Sequence, residues 1–95
     1  MARIELELDE SLANYLTPAQ MQVLDLRVKG NTLVKVAEVL GKSRNTVKSQ
    51  LYGTDDDPGI FGRAEEILGE RPHNATHLVV NFLLRGFLRF TEENQ

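Results

Sequence analysis

The 95-residue chain contains no cysteine, which excludes a disulfide framework, a thiolate zinc site and a cysteine nucleophile. It has no apolar run long enough to span a bilayer, because the longest stretch, Leu78 to Leu88, is broken by Asn81, Arg85 and Gly86. No secretory leader is expected either, since Met1-Ala2-Arg3 leads straight into acidic residues, and a cytoplasmic protein is expected. There is no nucleophile paired with a base, no carboxylate pair and no phosphate-cradling loop, so neither an enzyme nor a cofactor is expected. His73 and His77 stand four apart, but no further ligand at suitable spacing completes a metal set. Asp55-Asp56-Asp57 lacks the alternation and the glycine of a calcium loop. It reads as a solvated turn with Asp57 as a cap, a partner contact being the lesser alternative.

Ninety-five residues make one domain with a modest core. Acidic residues outnumber basic ones, and the net charge is −3. That sum hides a strong segregation along the chain. Residues 17–52 carry Arg27, Lys29, Lys35, Lys42, Arg44 and Lys48 against Asp25 and Glu38, whereas residues 53–70 carry six acids against Arg63 alone. For a surface that faces phosphates, where the charge lies matters more than its total.

Ile4-Glu5-Leu6-Glu7-Leu8 alternates with period two and reads as a short strand or an extended arm. Residues 9–16 form a possible helical turn with Leu12, Tyr15 and Leu16 inward. Thr17-Pro18-Ala19-Gln20 is a helix start, with Thr17 as cap, Pro18 at the first position and Gln20 closing a capping box. This helix runs to about Lys29, where Gly30 stops it. Thr32 caps a second helix that ends at Gly41, and Ser43 opens a third with Val47 and Leu51 on its inner side. Two helices joined by about three residues, with glycine at the positive-φ corner, match the spacing of a helix-turn-helix. Gly53 to Gly59 is a breaker-rich loop. Beyond it lie a helix holding Ile60, Phe61, Ala64, Ile67 and Leu68, and a last helix capped by Asn74 and running from Ala75 to about Phe90, followed by a polar tail. The expected architecture is an all-α domain over residues 1–95, with an arm at 1–16, a helix-turn-helix core at 17–52 and C-terminal helices at 58–90.

Leu16-Thr17-Pro18, Val23-Leu24, Gly30, Val36-Ala37, Leu40, Ser43 and Thr46-Val47-Lys48 together resemble the LuxR/GerE family of bacterial DNA-binding domains. Asn74-Ala75-Thr76-His77-Leu78-Val79 looks like the opening of that family's fourth helix. Sigma factor region 4 shares much of this pattern. The chain departs from the family at Lys42, where an apolar residue is usual, and at the Asp55–Gly59 loop, which interrupts what is one continuous helix in the family. The resemblance implies a transcriptional regulator that lays a recognition helix, here about 44–52, in the major groove of double-stranded DNA.

With Val47 and Leu51 inward, Arg44, Asn45, Lys48 and Ser49 project outward. Arg and Asn are the side chains that engage two groups at once on a guanine or adenine edge, and Lys48 suits a phosphate or a guanine. Thr46 belongs to the same turn of helix. Thr32, Lys35 and Lys42 are expected against the DNA backbone. The rival reading is a helix-turn-helix that docks onto a protein such as RNA polymerase, which the acidic loop and low pI favour.

The last helix carries an apolar surplus. His77, Asn81 and Arg85 form a narrow polar stripe, while Leu78, Val79, Val80, Phe82, Leu83, Leu84, Phe87 and Leu88 take the rest of the circumference. One globular face hides only part of such a helix. Either the N-terminal segment (Ile4, Leu6, Leu8, Leu12) folds back over it, or a second copy covers it. The resemblance implies dimerisation through the fourth helix, so a homodimer using Val80, Leu83, Leu84 and Phe87 is the expectation.

Overall fold

The computed structural model describes the backbone of residues 2–94 and the side chains of residues 4–92. The chain begins with strand β1 (Ala2–Leu8) and a 3-10 turn (Glu10–Asn14). Helices α1 (Pro18–Val28), α2 (Leu33–Leu40), α3 (Arg44–Tyr52), α4 (Gly59–Leu68) and α5 (Ala75–Leu84) follow, and strand β2 (Leu88–Asn94) closes the order. Four of the helix starts are set by local chemistry that satisfies otherwise unpaired N–H groups. Thr17, Thr32, Ser43 and Asn74 each accept a hydrogen bond from the backbone three residues on. At α1 the box is reciprocal, for Gln20 Oε1 also accepts from the Thr17 N–H at 3.0 Å.

The domain is not all-α, and no long apolar helix ends it. Helix α5 stops at Leu84, and β1 pairs antiparallel with β2 in a two-stranded sheet, Leu8 opposite Leu88, Leu6 opposite Phe90 and Ile4 opposite Glu92. The stop is written in Gly86-Phe87. Gly86 takes φ 81°, its N–H donates to Leu83 O, and the Phe87 N–H donates to Phe82 O at 2.9 Å. This is the Schellman closure of a helix, and its usual apolar contact is present as the Phe82 and Phe87 rings lie 5.6 Å apart. Past the glycine the apolar period changes from helical to two, with Leu88 and Phe90 on one face and Arg89 and Thr91 on the other. The N-terminal segment therefore does fold back on the C-terminal part, as a paired strand.

Two links fasten that strand. The Asp9 N–H donates to Phe87 O at 2.8 Å. Arg89 bridges Asp9 at 2.9 Å and Glu7 at 3.4 Å, and the Ser11 hydroxyl and N–H together with Arg89 hold the Asp9 carboxyl below its usual range. One core runs through the domain. Leu12 and Leu16 from the N-terminal segment meet Val23 and Leu24 of α1, Val36 of α2 and Val47 of α3, and Ile60, Phe82 and Leu88 extend it to the C-terminal elements.

Candidate nucleic-acid interface

Helix α2 packs on α3 across Gly41-Lys42-Ser43. Gly41 takes φ 65°, a conformation that costs a residue with a Cβ roughly 1–2 kcal/mol. Val36 and Ala37 from α2 and Val47 and Leu51 from α3 are buried. These four side chains fix which side of α3 faces outward.

That outer side holds Arg44, Asn45, Thr46 and Lys48, all exposed, with Ser49 half-buried. Among the described residues, the side chains of Arg44, Asn45 and Lys48 have neither a hydrogen-bond nor an ion-pair partner. Thr46 differs, since its hydroxyl lies 2.9 Å from the capping Ser43 Oγ. Lys42 stands exposed in the turn. On α2 the Thr32 hydroxyl accepts from the Lys35 N–H at 3.2 Å, and Lys35 Nζ lies 3.7 Å from Glu38 in a solvated pair. The eight residues expected to meet DNA thus fall on the first turn of α2, the connecting turn and α3. Five of them, Lys42, Arg44, Asn45, Lys48 and Ser49, have side-chain donors with no partner among the described residues.

The loop that ends α3 is built around Asp57. Its carboxylate accepts from Gln20 Nε2 at 2.8 Å, from the Gly59 N–H at 2.7 Å and from Arg63. The Arg63 guanidinium, then the Gly59 amide, hold the Asp57 carboxyl below the usual range. Arg63 also donates to Tyr15 O at 2.9 Å, so one acid ties the loop to α1, α4 and the segment before α1. Gly53 and Gly59 close the loop by backbone contact. A Cβ on Gly59 would lie 2.3 Å from Gly53 N, and one on Gly53 would lie 2.6 Å from the Pro58 carbonyl. Asp55 and Asp56 stay exposed. Thr17, Gln20, Ser49, Gln50, Thr54 and Asp57 line a polar groove beside the later turns of α3. Cation is thereby concentrated at the N-terminal half of α3 and acid at its C-terminal end. This Asp57 hub was not foreseen as such; the nearest sequence signal was Asp57-Pro58-Gly59, where a cap alone was expected.

The residues expected at a dimer interface divide. Val80 and Leu84 are exposed on α5, while Leu83 and Phe87 are half-buried against the core, Phe87 lying in the turn beyond the helix. The rings of His73 and His77 stack at 4.8 Å, and His77 Nδ1 accepts from the His73 N–H at 3.0 Å. No helix among the described residues is long and apolar enough to cross a membrane.

No family model, curated protein or solved structure matches the chain. What bears on function is the geometry of α2, α3 and the loop behind them.

Proposed function

We propose that this chain is a sequence-specific DNA-binding regulator of transcription, acting in the cytoplasm, with α3 as the helix that enters the major groove. The reading rests on one observation above others. Arg44, Asn45 and Lys48 are exposed and unpartnered on the outer side of a helix whose inner side is locked by Val47 and Leu51. On α1, by contrast, Lys29 and Asp25 pair at 3.1 Å. In the proposed complex Arg44 bonds guanine O6 and N7, Asn45 bonds adenine N6 and N7, and Lys48 meets a guanine edge or a phosphate. Thr32, Lys35 and Lys42 sit on the backbone side and set register without reading sequence. The resemblance to LuxR/GerE domains and sigma factor region 4 points the same way.

A second reading has its own support. The exposed Asp55 and Asp56 beside α3 suit a helix-turn-helix that docks onto a basic surface of a protein such as RNA polymerase. Selection from random duplexes separates the two. DNA reading predicts an enriched site bound through Arg44 and Asn45, whereas a chain that enriches nothing and retains no duplex would belong to the second reading.

A further inference from the structure

The sheet leaves an apolar face uncovered. Directly paired residues of an antiparallel ladder point to one side, so Ile4, Leu6, Leu8, Leu88 and Phe90 share a face. Near the body it is packed, with Leu88 buried. Farther out it is open: Ile4 is 69 % exposed and Phe90 66 %. Helix α5 extends the patch, with Val80 46 % and Leu84 79 % exposed. Between helix and strand runs a largely apolar groove lined by Val80, Leu83, Leu84, Leu88, Arg89 and Phe90.

We propose that this face, formed by β2, α5 and the outer end of β1, is where a second copy of the chain docks. Area is the first reason. At roughly 150–200 Å² per large apolar side chain, the four exposed residues present on the order of 400 Å² per copy. Two copies bury on the order of 800 Å² of apolar surface, and a polar rim in the usual proportion carries the total past the roughly 1,000 Å² of a specific interface. Shape is the second. The protruding Phe90 and Leu84 border the groove itself, so a two-fold axis sets each knob against the partner's groove and covers every residue twice. Charge is the third. The one cation on the groove, Arg89, is already bound to Glu7 and Asp9, which leaves nothing to select an acidic partner. Glu92 shares the sheet face, and the net charge is −3, which disfavours an anionic membrane.

The site differs from a helix-only interface, because Phe90 and Ile4 come from the sheet. It also stands apart from the DNA reading, since docking is measured without DNA. Sedimentation equilibrium of the full chain should show a monomer–dimer system with a dissociation constant of about 1–100 μM. Leu84→Glu and Phe90→Glu should each raise that constant about 100-fold or more, with the circular dichroism and melting of the parent. Val39→Glu, at an exposed apolar position on α2, should leave it unchanged. A parent chain that is monomeric at about 0.5 mM overturns the proposal, and one that is also carried by phosphatidylcholine vesicles assigns the face to lipid. Dimers that survive both glutamate changes overturn it as well.

Discussion

Arg44, Asn45 and Lys48 stand on the outer side of α3, held there by two buried neighbours, Val47 and Leu51. Their proposed roles separate by the DNA used. Arg44→Ala or Asn45→Ala should cost about 1–3 kcal/mol on the selected duplex and much less on random duplex, measured by fluorescence anisotropy. Equal losses on both would make these backbone contacts. The loop makes a second claim at this scale. Gly59 has φ +72° and no room for a Cβ beside Gly53 N, so Gly59→Ala should lower stability by at least about 2 kcal/mol, read as a fall in the urea midpoint. Asp57 makes a third. Its carboxyl titrates below 3.8 in the folded chain, so the stability it confers is whole above that pH and is lost as pH falls through the folded value. Asp57→Asn should therefore melt below the parent at pH 7, with the gap closing in acid below about pH 3.8. Unchanged melting at pH 7 would deny Asp57 its place in the loop. The polar partners of Asp57 were not legible, because Gln20 and Arg63 lie 37 and 6 residues away and only the folded chain brings both to one acid.

At the scale of elements, the caps were readable because they are local. Thr17, Thr32, Ser43 and Asn74 meet their partners within three residues, and no tertiary contact is needed to place them. The sequence alone reads as a last helix continuing to about Phe90, whereas α5 ends at Leu84. Leu83, Leu84, Phe87 and Leu88 fit a helical period as long as Gly86 is treated as a tolerated interruption, and that glycine is the Schellman residue. The signal available was the alternation of Leu88-Arg89-Phe90-Thr91 after it, which matches that of Ile4 to Leu8. What makes β2 a strand is its partner, and β1 lies 80 or more residues away in sequence, with Leu8 and Leu88 the nearest pair. The alternation can be tested by substitution. Leu88→Ala should cost about 2–5 kcal/mol in dilute solution, while Phe90→Ala, at an exposed position, should stay within about 0.5 kcal/mol. Comparable losses at both would contradict a strand with one buried face.

For the whole molecule, the distribution of charge decides more than its sum. In the proposed complex a chain of net charge −3 approaches DNA through the cations of α2, the turn and α3, with the Asp55–Asp56 loop at the far end of α3. With about four phosphate contacts per protomer, the log–log salt slope should be near −4 per protomer. Asp55→Asn with Asp56→Asn should strengthen binding to random duplex by removing repulsion beside that face, and a flat salt response would contradict this placement of charge. The most direct test of the central claim is the affinity of the parent and of the Arg44→Ala, Asn45→Ala, Lys48→Ala triple variant for the duplex that selection enriches. The account predicts that the folded triple variant binds that duplex no better than random DNA. Parent-like affinity in the triple variant would contradict it.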